Sequence, residues 1–226
     1  MGDSVQQAPK WRRKAHLRPR QIAEAALEVF GEAGLIDATV DEIAGRAGVS
    51  KGTIYLYFPN KEELFLHCIR DALASIDEVP INVGLATPTD QLRDSIARVW
   101  GALAFPPGAT VQRLVAAEQW RFPEVAELYH AKIVDRLEKE LGLIIRLGIA
   151  DGDFRPLEPS IAARMLTGLV LQAATWAGVP NRGKGGQTSA ERLREVTEFS
   201  VGAVAQTAGA FAQADGAPDR RGVLNN

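Results

Sequence analysis

Along almost the whole chain apolar residues recur three or four positions apart, and no stretch alternates apolar with polar residues. The first spacing lines one face of a helix, whereas strict alternation is what a half-buried strand needs. The chain is therefore expected to be all-α, and its breaker residues divide it into about nine helices. The first begins near Pro19, carries Ile22, Ala23, Ala26, Leu27 and Phe30 on one face, and is expected to stop at Gly31 and Gly34. Thr39, with Glu42 three residues on, opens a short second helix through a capping box, in which each side chain meets the other's exposed amide. That helix ends at Ala47-Gly48-Val49. Ser50 caps a third, running to Phe58, and Pro59-Asn60 breaks the chain before a fourth whose Leu64, Phe65, Cys68, Ile69, Ala72, Leu73 and Ile76 form a buried stripe.

Beyond a break at Val79-Pro80, a fifth helix opens at Thr87-Pro88 and closes at Pro106-Pro107-Gly108, and a sixth runs from Thr110 to Trp120. Pro123 starts the longest, which ends in the turn Asp151-Gly152-Asp153. The eighth, Pro159 to Trp176, is nearly devoid of charge after Arg164 and so must be covered on more than one side. After Gly178 to Gln187, a ninth helix presents Leu193, Val196, Phe199 and Val204 as a single stripe, and the tail beyond Phe211 is expected to be disordered.

With 46% hydrophobic residues in 226, the chain can fill one large domain or two small ones. It has no long uninterrupted apolar run and no apolar N-terminal stretch, so no membrane contact is expected and the cytoplasm is the expected compartment. A single cysteine, Cys68, can form neither an internal disulfide nor a zinc cage and is expected in the core. Asp151 and Asp153 lack the further oxygen ligands calcium needs, so no metal and no cofactor is expected. Nor is an enzyme: His16 lies in the N-terminal segment, and neither His67 nor His130 has a motif-spaced nucleophile or metal-ligand partner.

Charge is unevenly spread. The first twenty residues hold six basic residues (Lys10, Arg12, Arg13, Lys14, Arg18, Arg20) and one acid, leaving 20 bases against 27 acids in the remainder. A basic arm on an acidic body suits local contact with a polyanion, although a solvated terminal tail has the same composition. Beside the arm, residues 39 to 58 describe two short helices joined by a glycine-containing turn, which is a helix-turn-helix. Small Ala44 and Gly48 would let these helices cross closely, with Val40, Ile43, Val49, Ile54 and Phe58 as their shared core. Lys51 and Thr53 then lie at the N-terminal end of a recognition helix, and Gly52 between them lets backbone approach a sugar-phosphate chain.

The stretch from about Pro19 to Cys68 resembles the DNA-binding domain of the tetracycline-repressor (TetR) family. The resemblance is carried by Ile22-Ala23-Glu24-Ala25-Ala26, Phe30-Gly31 and Gly34, Thr39-Val40-Asp41-Glu42-Ile43-Ala44, Ala47-Gly48-Val49-Ser50-Lys51-Gly52-Thr53-Ile54-Tyr55 and Tyr57-Phe58-Pro59-Asn60-Lys61-Glu62-Glu63-Leu64. It implies that Thr39, Tyr55, Tyr57 and Lys61 contact phosphates while Lys51, Gly52 and Thr53 face the bases. Half-buried packing is the rival role for the two tyrosines and a solvated charge for Lys61; Arg46 touches either phosphate or water. Tyr57 stands where many members have histidine, and Leu56 where an aromatic is frequent.

More loosely, Arg121-Phe122-Pro123-Glu124 and Gly148 to Pro156 resemble the regulatory domain of many members. The implied division is a basic arm over 1–18, a three-helix helix-turn-helix DNA-binding domain over 19–65, a helical ligand-binding and dimerisation domain over 66–212 and a tail over 213–226. The implied function is that of a sequence-specific regulator, most often a repressor, released from its operator by a small apolar or amphipathic effector. In such proteins the last two helices pair with those of a second copy, and the homodimer reads a near-palindromic operator on double-stranded DNA with two recognition helices about 34–36 Å apart. Candidate pocket residues are Trp100, Phe105, Trp120, Phe122, Tyr129 and Trp176, with core packing as the rival role of each. A helical protein-interaction adaptor without ligand response is the alternative reading of the whole chain.

Overall fold

Helix α1 spans Lys10–Asp37 in the computed structural model, which describes residues 10–77, 87–177 and 187–206. It starts well before the Pro19 expected from sequence, because residues 10–18 hold no glycine or proline and the ring of Pro19 removes only one backbone bond near the helix's free end. It also runs through Gly31. A Cβ there would stand 2.6 Å from Cγ2 of Thr110, so this glycine marks a close approach to another helix and does not end its own. The axis breaks only at Gly34, whose φ of 78° and ψ of 171° lie outside the reach of a residue with a side chain.

Helices α2 (Val40–Ala47) and α3 (Lys51–Tyr57) form the helix-turn-helix. Val40, Ile43, Ile54 and Phe58 are buried between them and α1, and Val49 is half-buried. Gly48 has a different task from the close crossing read from sequence. No atom would touch a Cβ there, and its φ of 63° makes it the left-handed cap that ends α2. Next come α4 (Lys61–Asp77), α5 (Pro88–Leu103) and α6 (Gly108–Glu118). Thr87 caps α5 by accepting from the Asp90 amide, as its place before Pro88 suggests.

The longest helix expected from sequence is a rod in three parts: α7 (Pro123–Tyr129), a π-helical turn over His130–Val134, and α8 (Asp135–Asp151). Counted as one, the rod makes nine helices among the described residues, closed by α9 (Pro159–Ala177) and α10 (Ser189–Val204). The only β pairing among them is an isolated bridge between Phe154 and Ala205. The break at Val79-Pro80, residues 178–186 and the tail from 207 lie outside the described residues, as do residues 1–9 and the side chains of residues 10–17.

Apolar side chains gather into two cores. The first joins α1–α4 to α6 and α7, with Phe30, Phe65, Val111, Leu114, Val115 and Val125 buried together. The second unites α5, α8, α9 and α10 around Leu92, Ile96, Leu141, Ile145, Phe154 and Val170. Val99, Leu171, Leu193 and Val196 touch both. Helices α1 and α4, which flank the helix-turn-helix, are thus packed onto α6 and α7, and α5 and α8–α10 form most of a second block. Cys68 is buried in the first core and donates to the Ala23 carbonyl at 3.2 Å.

Candidate nucleic-acid interface and ligand cavity

Thr39 and Glu42 form the expected capping box at the start of α2. The Glu42 amide donates to the Thr39 hydroxyl at 3.2 Å, while the Thr39 hydroxyl and amide donate to the Glu42 carboxylate at 2.8 and 3.0 Å. These bonds, the hydroxyl's first, hold the Glu42 carboxyl below its ordinary range. Ser50 caps α3 by accepting from the Thr53 amide at 3.1 Å, and its hydroxyl also meets the Thr53 hydroxyl at 2.8 Å. Lys51, Gly52 and Tyr55 are exposed on one side of the motif. Thr53 is half-buried, as is Tyr57, which packs against the first core.

The three cations of this surface are all engaged within the chain. Lys51 donates to Asp41 at 2.8 Å, which raises its pKa and ties the start of α3 to α2. Arg46 makes a forked bond to Glu32 of α1 at 2.6 and 2.8 Å and lies 3.7 Å from Glu28, an exposed ion pair that ties α2 to α1. Lys61 is not the solvated charge of its rival reading. It donates to the carbonyls of Ile36 and Ala38 at 2.9 and 2.8 Å, holding the α1–α2 turn that presents Thr39. Gly52 differs from all of these. It lies inside α3, and the nearest atom to a Cβ there would be Ser50 Oγ at 3.8 Å, so nothing among the described residues requires a glycine.

The six candidate pocket aromatics do not converge. Trp100 is 2% exposed and donates to Ser189 Oγ at 3.0 Å. Phe122 continues an aromatic chain from α1 through α4, with Phe30 to Phe65 at 5.5 Å and Phe65 to Phe122 at 5.4 Å between ring centres. Phe105 and Trp176 are about half exposed, and Trp120 is 89% exposed. Of the six, Tyr129 lines a cavity among the described residues. It measures about 290 Å³ and opens between α6, the α7 end of the rod and α9, at the seam of the two cores.

That cavity is built on a buried amide. Gln112 donates to the Leu103 carbonyl at 2.9 Å, which orients its oxygen to accept from Tyr129 at 3.2 Å and from Thr175 at 3.1 Å. Val115, Ala116, Ala126 and Leu171 supply apolar wall, and Gln119, Gln172 and His130 complete the polar lining. Burial pushes the Tyr129 hydroxyl up to about 12, so it stays neutral and keeps its proton for Gln112. Among the described residues no cluster of His, Cys, Asp or Glu is arranged to hold a metal, and no helix is long and apolar enough to cross a membrane.

Comparison with known proteins accounts for most of this architecture. The model of the bacterial regulatory proteins of the tetR family matches residues 22–68, and the model of the AefR-like transcriptional repressor C-terminal domain matches residues 90–205. The chain belongs to the TetR family. Its helix-turn-helix is accordingly a TetR-family DNA-binding domain, in a family of transcriptional regulators. The HTH-type transcriptional regulator BetI of Escherichia coli is 38% identical over 108 residues, 48% of this chain and 46% of that protein, so the chain spans about half the length of the curated relatives it matches. A putative transcriptional regulator from Saccharomonospora viridis, solved in complex with choline, has a TM-score of 0.72 at 21% identity, covering 85% of this chain and all of that one. The regulator FadR of Bacillus subtilis, solved with stearoyl-CoA, has a TM-score of 0.57 at 26% identity, covering 80% of this chain and 97% of that one. Within this TetR-family chain, Gln112 and Thr175 are among the cavity residues that sequence reasoning missed. They are 63 positions apart, and neither has a local signal.

Proposed function

We infer that this TetR-family chain is a cytoplasmic, homodimeric repressor that reads a near-palindromic operator with α3 and leaves it when a small effector fills the cavity at Gln112, Tyr129 and Thr175. In this reading Lys51, Gly52 and Thr53 face base edges, and Thr39, Tyr55, Tyr57, Arg46 and Lys61 serve the phosphate backbone directly or by holding the motif. The arm (1–18), DNA-binding domain (19–65), regulatory domain (66–212) and tail (213–226) keep the roles the family resemblance implies. The observation that carries the reading is Gly52. A glycine inside a helix lowers stability by about 1 kcal/mol relative to alanine, and with open space around this one the benefit lies in what approaches from outside.

Two further features support it. The outer face of α9 presents Ile161, Met165, Gly168, Gln172 and Trp176 at helical spacing, with Met165 69% exposed. Beside it Phe199 of α10 is 65% exposed, an apolar surface suited to cover by a second copy. The cavity is larger than the roughly 150 Å³ that holds benzene, and among the described residues no Lys, Arg, Asp or Glu lines it. It offers one aromatic face and no carboxylate, too little for a quaternary ammonium such as the choline of the S. viridis neighbour. An uncharged effector with both apolar and hydrogen-bonding groups fits it best.

Selection of binding sites from random duplexes, followed by titration at several salt concentrations, tests the reading. Near-palindromic sites are expected, with Thr53→Ala changing the preferred base and Tyr55→Phe weakening all sequences alike. Absence of duplex binding at low salt would leave the protein-interaction adaptor instead.

A further inference from the structure

The hydroxyl protons on the polar wall of the cavity are already committed inside the chain. The amide nitrogen of Gln112 donates to the Leu103 carbonyl, which can only accept, and this fixes which end of the amide faces Tyr129 and Thr175. That end is the oxygen. It has no proton to give, so both hydroxyls must donate to it, and they occupy its two lone pairs. Tyr129 has one proton and spends it there. Thr175 also has one, shared between Gln112 and the Leu171 carbonyl at 2.9 Å, the bond a helical threonine makes to the preceding turn. What the two hydroxyls keep for a ligand is therefore lone pairs. Among the other polar groups of the lining, Gln172 and His130 are exposed, so a ligand gains from them little beyond what water already supplies. Gln119 is half-buried and turned back to the Ala116 carbonyl at 3.5 Å.

Given this cavity as the effector site, we propose that the effector is a neutral alcohol or phenol whose hydroxyl donates to the oxygens of Tyr129 and Thr175. Gln112 sets the preference as a positioning residue, because it holds both hydroxyls in the accepting role. A ketone, ester or ether of the same shape brings one more acceptor to a wall of acceptors, and its oxygen is buried without a partner. An amine brings a positive charge that no carboxylate among the described lining residues meets. An amide supplies the N–H but leaves its own carbonyl unpaired. The rest of the ligand is hydrocarbon, since Val115, Ala126 and Leu171 offer it apolar wall. Size sets its extent. The cavity of about 290 Å³ is close to twice the roughly 150 Å³ that holds benzene, so the effector has roughly a dozen non-hydrogen atoms.

Equilibrium dialysis of the full chain against menthol and menthone tests this, with no DNA present, so the outcome is independent of operator reading. The two share one carbon skeleton, and the hydroxyl of the first is a carbonyl in the second. Menthol is expected to bind about tenfold more tightly. Gln112→Met keeps the bulk and removes the accepting oxygen, which frees both hydroxyl protons for the ligand, so menthone should gain until the two bind about equally. Tyr129→Phe should keep the preference for menthol, since the Gln112 oxygen it uncovers accepts in place of the phenol. If Gln112 served packing alone, its substitution would weaken both ligands together and leave their ratio unchanged, and that result overturns the proposal. So does menthone binding as tightly as menthol in the unaltered chain, or a preference lost in Tyr129→Phe; in either case the cavity remains a ligand site of another polarity. Failure of both compounds to bind would instead overturn the cavity as effector site, and the donor preference with it.

Discussion

A Cβ at Gly52 would meet only the Ser50 hydroxyl at van der Waals distance, and this makes the position informative beyond its own backbone. Gly52→Ala should raise the stability of the free protein by about 0.5–1 kcal/mol in urea unfolding, since alanine is the better helix former and nothing obstructs it. The same substitution should lower operator affinity. A variant with unchanged affinity would show that position 52 is remote from DNA. At this scale sequence reading succeeded where partners are local. Thr39 with Glu42 and Ser50 with Thr53 are neighbours on one turn, so spacing alone shows their bonds. It failed where partners are distant: Lys61 reaches carbonyls 23 and 25 positions back, and Arg46 finds Glu32 on another helix.

Helix α2 depends on acid chemistry at its first turn. The Glu42 carboxyl is held below its ordinary value of 4.5 by its bonds to Thr39, so its contribution is complete above that value and is lost as pH falls through the lowered one. Glu42→Gln should therefore flatten the acid limb of a stability-against-pH curve measured by thermal unfolding, with the variant less stable than the unmodified chain above about pH 4.5 and the difference shrinking as pH falls below it. Between elements, the contact of α1 with α6 is set by Gly31 and Thr110. Gly31→Ala should cost about 1–3 kcal/mol through overpacking, and Thr110→Ser, which removes the methyl group in the way, should recover most of it in the double variant. Equal losses with and without the second substitution would place the cost elsewhere. Helix identities were legible because apolar spacing repeats over many residues. The early start of α1 and the π-helical turn were not, since each follows from neighbours that spacing does not name.

For the molecule as a whole, the two cores cross the boundary that motifs suggest. The DNA-binding helices share their core with Val111, Leu114 and Val115 of α6 and Val125 of α7. Residues 10–77 alone should therefore lack a cooperative melt by circular dichroism at 25 °C, because removing several fully buried side chains costs more than a typical domain's margin of about 5–15 kcal/mol. A fragment melting as sharply as the full chain would contradict the shared core. The cavity at Gln112 lies on the seam, so a ligand in it bears on how the DNA-binding block sits against α5 and α8–α10. The aromatic candidates misled because bulk predicts burial better than it predicts lining: Trp100 and Phe122 pack, while the cavity formed around an amide.

The π-helical turn over His130–Val134 can also be read as a change of phase. A π turn takes one residue more than an α turn, so every side chain from Asp135 onward is set about 100° ahead of where an uninterrupted helix would place it. Leu137, Leu141, Ile144 and Ile145 meet the second core only with that offset in place. Deleting a single residue between His130 and Val134 would yield a more regular rod and a worse protein, its inward stripe turned off target. Melting temperature should fall further for that deletion than for alanine at any one of His130, Lys132, Ile133 and Val134. In this chain a length change of one residue is a rotation of half a molecule's packing face.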